Sequence, residues 1–384
     1  MEDNNSGNDF VVLDPAEAAG SAPNGEQEVQ AVADAQSAPA PAPAVNGTGT
    51  GGTGHRAVIQ LPEPQEEESE EEEEVHEGTE QDFLADYPDD TEDLEVIHSR
   101  LTSTSALRLP RFTHLKRLCL RQNVISSLPE TDFGTLGELE ELDLYDNKVK
   151  ELGDGLRHCV HLDVLDLSFN LLRAVPSTLS PFQELKTLYL VQNKITRIGD
   201  LEPVGKSLKS LELGGNRIRT IEHLEELGLL EELWLGKNKI TQLQNLDKLQ
   251  SLRILSIQSN RITKLEGLDK LHNLEELYIS HNGVERLEGL ENNTKLRVLD
   301  VGNNRISKIE HVSHLTQLEE FWVNDNQIPS LADVEPQLAH LTGLQTVYLE
   351  GNPCQKTEGA AYRRKIILAL PQLQQLDATF VHTV

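Results

Sequence analysis

The strongest constraint on the fold is a leucine pattern that recurs eleven times between residues 115 and 352. Its form is Leu-x-x-Leu-x-Leu-x-x-Asn-x-Ile, and its asparagines are separated by 24, 23, 23, 23, 22, 22, 22, 22, 22 and 26 residues. A unit this short cannot bury its hydrophobic side chains alone, so neighbouring units must stack. The sequence therefore predicts a solenoid. The asparagines are Asn123, Asn147, Asn170, Asn193, Asn216, Asn238, Asn260, Asn282, Asn304, Asn326 and Asn352.

The order of residues within one unit predicts its local structure. Each Leu-x-Leu segment alternates like a short strand, with the leucines directed into the core. The asparagine amide both donates and accepts, so it can bind backbone groups of its own coil and of the adjacent coil. The remaining residues leave room for one turn of α- or 3₁₀-helix. We therefore expect an α/β solenoid, a right-handed curved stack with a concave parallel sheet and short helical or 3₁₀ convex segments.

The distribution of charge predicts the domain boundaries. Residues 1–94 contain 25 acidic residues and one basic residue, whereas the other 290 residues contain 39 and 33. The first part is rich in Ala, Pro, Gly, Ser and Glu, a composition that buries too little apolar surface to order a chain. We expect a disordered acidic tail over residues 1–90 and a repeat domain over 91–384. Within that domain, residues 91–112 would form an N-terminal cap or half-repeat, 115–352 the eleven repeats and 353–384 a C-terminal cap.

Composition also narrows the partners and the compartment. A formal charge of −30 argues against nucleic acid, whose phosphates need basic patches. No apolar run approaches the ~20 residues of a membrane span. Three cysteines and the absence of a secretory signal predict a reducing compartment, nucleus and cytoplasm. Ser69, which precedes the glutamates at 70–74, is a candidate phosphorylation site, and we expect no cofactor and no metal.

The surface of the predicted sheet is unusually aromatic and acidic. With the template numbered from its first leucine, positions 3, 5 and 7 project away from the core. Position 5 holds both tryptophans and three of the six tyrosines. Such residues are typical of interaction hot spots. The acidic pair Asp143 and Asp166 should face each other on adjacent strands and repel, which predicts a partner rich in Lys and Arg.

Three motifs imitate catalytic or ligand sites and are better explained otherwise. Gly47–Gly52 matches a dinucleotide fingerprint but has no strand before it and no helix after it. His158, Cys159 and His161 lack a second ligand pair for zinc. Asp300 and Glu320 would lie on an open sheet that cannot exclude water. The sequence therefore predicts no catalytic activity.

Several segments resemble a known family of leucine-rich-repeat proteins. They are Leu118–Asn123, Glu141–Asn147, Asp166–Arg173, Leu235–Thr241, Glu320–Trp322, Tyr362–Lys365 and Leu376–Val381. Together they resemble the leucine-rich-repeat regulatory subunit of protein phosphatase 1, regulatory subunit 7, over about residues 94–384. The resemblance implies a regulatory scaffold of the nucleus and cytoplasm. It would bind the phosphatase catalytic subunit through the concave face, together with a second inhibitory subunit, and be monomeric before the complex forms.

The resemblance also carries contact residues onto this chain. Tyr189 and Trp234 stand where relatives often have phenylalanine, which keeps an aromatic ring. Two alternatives remain open from the sequence: an acidic histone-binding or chaperone protein, suggested by the glutamate run, and a generic protein–protein adaptor. The implied partner-binding residues are Asp166, Tyr189, Glu212, Trp234, Asp300, Glu320, Trp322 and Tyr348.

Overall fold

The computed structural model describes residues 56–60, as a backbone strand, and residues 84–381. Fifteen strands form one sheet in which each strand is bonded to the next strand along the chain. All pairs are parallel except the last, β14 with β15. The strands are β1 Arg56–Gln60, β2 Asp93–Ile97, β3 Arg117–Cys119, β4 Glu141–Asp143, β5 Val164–Asp166, β6 Thr187–Tyr189, β7 Ser210–Glu212, β8 Glu232–Trp234, β9 Ile254–Ser256, β10 Glu276–Tyr278, β11 Val298–Asp300, β12 Glu320–Trp322, β13 Thr346–Tyr348, β14 Gln375–Leu376 and β15 Thr379–Phe380.

The predicted parallel-sheet solenoid is confirmed. Strands β3 to β13 coincide with template positions 3 to 5 of the eleven repeats, and equivalent positions pair throughout. The central residue of each strand is a buried leucine, phenylalanine or valine, such as Leu142 at 1% exposed and Phe321 at 0%. Because these side chains stack from coil to coil, the core is one continuous apolar column.

The asparagines form the predicted ladder. The Nδ2 of Asn238 donates to the carbonyl oxygen of Leu213 in the preceding coil at 2.9 Å and to that of Leu235 in its own coil at 3.1 Å. Its Oδ1 accepts the N–H of Ile218 at 3.0 Å. One buried amide thus satisfies backbone groups of two coils at the point where the strand ends, which holds adjacent coils in register.

The return segments, which connect each strand to the next, contain less helix than the prediction allowed. Most are successive turns. The α-helices among the described residues are α1 Glu130–Phe133, α2 Val334–Leu338, α3 Pro353–Glu358 and α4 Tyr362–Ala369, and the 3₁₀ turns are Ser105–Leu107, Leu109–Arg111, Glu202–Val204 and Gly359–Ala361. A repeat of 22 residues is too short for a longer helix, and the helices α1 and α2 occur in repeats with spacings of 24 and 26 residues.

The two ends of the sheet differ from the prediction in detail. The expected disordered tail contains β1, which pairs with β2, and Leu84, which is fully buried. Order therefore begins before residue 91, because these segments cover the first coil. At the other end, the expected C-terminal cap over 353–384 contains α4, which buries Tyr362 and Ile366, whereas Phe380 in the same cap is 69% exposed and does not cover the last coil. Val381 packs against the core in its place. The remaining tail lies outside the described residues.

Candidate functional site

The side chains of template position 5 form a single row across the sheet. Asp166 pairs with Tyr189, Tyr189 with Glu212, and Glu212 with Trp234 on successive strands. Farther along, Tyr278 pairs with Asp300, Asp300 with Trp322 and Trp322 with Tyr348. We call this set, continued by Ser256 between Trp234 and Tyr278, the position-5 row. The face that carries it, together with positions 3 and 7, is called the open face.

The row is more buried than the sequence predicts. Side chains at positions 3, 5 and 7 were expected to project into solvent, but those of position 5 are partly buried, and Asp300 is only 5% exposed. The cause is close spacing, since parallel strands place each side chain between neighbours about 4.8 Å away. The consequence is a row of carboxyl groups and rings that have lost much of their hydration.

Two pairs of rings stabilise the row. Trp234 and Tyr278 lie on strands separated by β9, where the small Ser256 leaves room for the rings to stack with centroids 6.5 Å apart at 17°. Trp322 and Tyr348 lie on adjacent strands in an edge-to-face arrangement with centroids 5.5 Å apart. Such pairs contribute about 1 kcal/mol beyond burial of their area. The rings are therefore held in fixed orientations before any partner arrives.

The acidic part of the row is strained by charge. Asp143 and Asp166 face each other across β4 and β5, as predicted. Burial and the Asp143 carboxylate raise the pKa of Asp166 to about 6. Burial, Asp166 and Glu232 raise the pKa of Glu212 to about 7. Asp166 accepts the N–H of Ser168 at 2.7 Å and is attracted by Arg121, and both interactions offset part of the shift. Within residues 84–381 neither Asp166 nor Glu212 makes an ion pair.

Asp300 differs from the other carboxyl groups of the row. Its Oδ1 accepts the N–H of Gly302 at 3.0 Å, and burial raises its pKa. Position 7 is Gly302 here, and a Cβ on it would lie 2.8 Å from Oδ1 of Asn324, so that side chain would have to move to admit a larger residue. Asp300 lies between Tyr278 and Trp322 on the adjacent strands, and each of these rings belongs to one of the two ring pairs.

The motif Glu-apolar-aromatic recurs in every second coil, at Glu232–Trp234, Glu276–Tyr278 and Glu320–Trp322. The hydroxyl of Tyr278 donates to Glu276 at 2.8 Å, and Nε1 of Trp322 donates to Glu320 at 3.2 Å. In the first motif Glu232 instead accepts the hydroxyl of Ser210 at 3.1 Å. The buried Nε1 of Trp234 has no hydrogen-bond partner among the described residues.

In the first repeats the open face carries a cation, Arg121. Arg121 lies over the ring of Tyr145, 4.3 Å from its centroid, and its guanidinium is 3.4 Å from the carboxylate of Asp143. Tyr145 in turn contacts Phe169, with centroids 4.8 Å apart. Arg121 is thus an ion-pair partner of Asp143, whereas Asp166 on the next strand has none among the described residues.

Carboxylates beside the open face, unlike Asp166 and Glu212 in the row, form ion pairs with basic residues. At template position 2, acidic and basic residues alternate in several places from coil to coil and pair along the edge. Arg253 bonds Glu275 at 2.8 Å and Arg297 bonds Glu319 at 2.8 Å. The hydrogen bond from Arg297 lowers the pKa of Glu319. Several carboxylates beside the row are thus paired with cations, whereas Asp166 and Glu212 make no ion pair among the described residues.

All eight residues carried over by resemblance lie on the open face, seven in the position-5 row and Glu320 at position 3. Sequence reasoning did not select Tyr278, although it stacks on Trp234; the repeated Glu-apolar-aromatic motif could have identified it. Ser69 and Gly47–Gly52 lie outside the described residues.

The metal-like spacing at 158–161 does not form a site. Cys159 is buried in the core, whereas the imidazoles of His158 and His161 contact the carboxylates of Glu130 and Glu184. Within the described range, no group of three or more His, Cys, Asp or Glu residues could hold a metal ion, and no helix is long and apolar enough to cross a membrane.

Comparison with family models decides the classification. A model described as "Leucine Rich repeats (2 copies)" matches in overlapping segments from 183–226 to 294–336. A second, described as "Leucine rich repeat", matches residues 113–172. Together they span more than half of the chain. The chain belongs to the leucine-rich-repeat family.

Relatives of this leucine-rich-repeat protein include named phosphatase subunits. It is 37% identical over 150 residues to the "Protein phosphatase 1 regulatory inhibitor subunit PPP1R7 homolog" of Arabidopsis thaliana, covering 38% of this chain and 45% of that one. It is 43% identical over 108 residues to the "Protein phosphatase 1 regulatory subunit SDS22" of Saccharomyces cerevisiae, covering 26% and 32%. The matched segments thus span less than half the length of these relatives. The resemblance to the regulatory subunit 7 family is confirmed.

Solved structures bear on the fold alone. A leucine-rich-repeat protein of Leptospira interrogans superposes with a TM-score of 0.59 at 24% identity, covering 75% of this chain and 84% of that one. An internalin from Listeria monocytogenes superposes with a TM-score of 0.57 at 25% identity, covering 75% and 86%. Both support the assignment of the solenoid.

Proposed function

We propose that this leucine-rich-repeat protein is a regulatory scaffold that binds the catalytic subunit of protein phosphatase 1 through the acidic and aromatic open face. The observation that carries the proposal is the position-5 row, in which Asp166 and Glu212, neither in an ion pair, flank Tyr189, and Glu212 also adjoins Trp234. The names of the relatives, which are phosphatase regulatory subunits, support the choice of partner.

The charge of the row favours a basic contact surface. The carboxyl groups of Asp166 and Glu212 have raised pKa values because burial and their acidic neighbours disfavour the ionised form. A Lys or Arg of the partner placed between them would compensate both carboxylates and replace the hydration that they have lost. Free energy stored as repulsion in the unbound protein is thereby recovered on binding.

The aromatic half of the row supplies the apolar anchor. Trp322 is held by Tyr348 and by the hydrogen bond to Glu320, so little conformational entropy is lost when a partner covers it. Trp234 adds a ring whose buried Nε1 lacks an acceptor. Rings of this kind, fixed and partly desolvated, carry a large share of the binding free energy at protein interfaces.

The experiment measures binding of the purified full chain to the phosphatase catalytic subunit by isothermal titration calorimetry. We expect Trp322→Ala to weaken binding by about 2 kcal/mol, which is a roughly 30-fold rise in Kd. Phe380→Ala is the matched control, because Phe380 is an aromatic residue that is 69% exposed and lies in β15, beyond the row. Its Kd should stay within about twofold of wild type.

Charge is tested separately with Glu212→Gln and with Glu319→Gln as its control. Both remove one carboxylate, but only Glu212 lacks an internal cation. We expect Glu212→Gln to weaken binding and to reduce its dependence on salt, with little change for Glu319→Gln. Unaltered affinity in both Trp322→Ala and Glu212→Gln would contradict the proposed binding face, and no measurable binding by the wild-type chain would contradict the proposed partner.

A further inference from the structure

Template position 10, which follows the ladder asparagine, carries a column of cations on the middle coils. From the fourth to the ninth repeat, five of six residues at this position are basic, and Gly283 is the exception. The backbone N–H of each basic residue donates to the preceding coil at 2.8 Å, so the positions are stacked one per coil. The cationic column comprises Lys194, Arg217, Lys239, Arg261 and Arg305.

The side chains of the cationic column are exposed or partly exposed. Each column residue lies between the ladder asparagine and an isoleucine, and both of these neighbours point inward. In the part of the chain that the structure describes, none of them makes an ion pair or a side-chain hydrogen bond. Three residues farther along, at position 13, the cations are neutralised: Arg197 pairs with Glu222 at 3.0 Å and Arg286 with Glu310 at 3.1 Å.

Acidic residues are scarce beside the column: position 12 has one, Glu285, in the repeat where position 10 is Gly283, and position 8 has none. In the same six coils position 8 contains Gln192, Gly215, Lys237, Ser259, His281 and Asn303, with no Asp or Glu. A protein with a formal charge of −30 that pairs most of its other surface cations leaves this strip positive. Unrelieved like charge along a stacked column destabilises the free protein, as the carboxylates of the row do.

We infer that the cationic column is a second interaction surface, which binds an extended acidic segment of a partner polypeptide. The column is on the turn side of the asparagine ladder, whereas the open face is on the strand side, so both can be occupied together. Five coil-to-coil steps of about 4.8 Å give a length of roughly 24 Å, which matches about seven residues of extended chain. Alternate acidic side chains of such a segment would face the column.

A nucleic acid fits this surface less well than an acidic peptide does. Single-stranded nucleic acid is held by aromatic side chains on which bases stack, and positions 8 and 10 of these coils contain no Phe, Tyr or Trp. A long polyanion would also meet the overall negative charge of the chain, whereas a short acidic segment contacts only the column.

The test uses the full chain and a labelled peptide of about twelve residues in which glutamate alternates with serine, followed by fluorescence anisotropy near 0.1 M salt. We expect saturable binding that the triple variant Arg217→Gln, Lys239→Gln, Arg261→Gln weakens by about tenfold. The matched control is Lys209→Gln, Arg253→Gln, Arg297→Gln, which removes the same charge from residues already paired with Glu231, Glu275 and Glu319. Its affinity should stay within about twofold of wild type.

Three results would overturn the inference. Equal weakening by both triple variants would show only a response to net charge. Stronger binding of a labelled oligothymidine of matched charge would assign the column to nucleic acid. A large gain in peptide affinity when the glutamates at 70–74 are replaced by glutamine would assign it to the chain's own acidic run. Because the phosphatase takes no part in this assay, its outcome is separate from that of the proposed function.

Discussion

Replacement of Glu212 by glutamine should stabilise the free protein. The carboxyl group is mostly buried on the open face, and its pKa is raised from 4.5 to about 7. In the unfolded chain it releases its proton near pH 4.5, whereas the folded chain retains it until about pH 7. The free energy of unfolding therefore falls as pH rises through this interval and stays low above it.

The magnitude follows from the size of the shift. At about 1.4 kcal/mol per pKa unit, a rise from 4.5 to about 7 corresponds to about 3 kcal/mol. Glutamine has no proton to release, so Glu212→Gln should raise the free energy of unfolding by about 2–4 kcal/mol at pH 8. At pH 4.5, where the folded carboxyl group is protonated, the gain should shrink to less than about 0.5 kcal/mol.

Urea unfolding followed by circular dichroism at the two pH values measures both quantities. Glu319→Gln is the control of opposite sign, because the hydrogen bond from Arg297 lowers the pKa of Glu319 and stabilises its ionised form. This exposed pair should cost a few tenths of a kcal/mol when broken. A gain for Glu212→Gln that is equal at pH 4.5 and pH 8 would refute the electrostatic reasoning, since it would indicate a packing effect. No gain at pH 8 would refute it as well.

The remaining predictions concern the core and its ladder. Asn238→Ala leaves the Ile218 N–H and a buried carbonyl without partners and should lower the free energy of unfolding by about 3 kcal/mol in urea titrations, whereas exposed Asn292→Ala should cost less than about 0.5 kcal/mol. Phe321→Ala opens a cavity at a fully buried site, and a loss of about 3–5 kcal/mol is expected by the same assay; less than about 1 kcal/mol would contradict the continuous core. Burial raises the pKa of the Cys159 thiol to about 12, so mass spectrometry should find it unmodified by iodoacetamide at pH 8 unless urea is added.

Periodicity was sufficient to predict the strands, the inward leucines and the asparagine ladder. Each depends on spacing along one coil, and spacing is visible in a sequence. The membership of the position-5 row could be predicted for the same reason, since equal template positions become neighbours once the coils stack. Asp143 and Asp166 therefore meet as expected.

Interactions that depend on neighbouring coils could not be predicted in this way. Ser256 allows Trp234 to reach Tyr278 across a strand, and Glu232 bonds Ser210 of the adjacent strand rather than Nε1 of Trp234. Neither follows from the pattern of one repeat. The burial of Asp300 arises likewise from side chains on both adjacent strands. Strand β1 lies outside the repeat pattern and is surrounded by a composition typical of disorder, so the sequence did not predict it.

Because the strands keep a constant register, equivalent side chains on the open face are separated by whole numbers of the interstrand distance. Trp234 and Trp322 are four strands apart, so a partner that engages both must present its own contacts about 19 Å apart. The four repeats between the two tryptophans have the same length of 22 residues, and the repeats of 23, 24 and 26 residues lie outside this interval. Deletion of one whole coil between the tryptophans would shorten the distance between them by one interstrand spacing of about 4.8 Å and leave both tryptophans in place. The shortened protein would keep its affinity only for a partner whose two contact points are closer by the same distance.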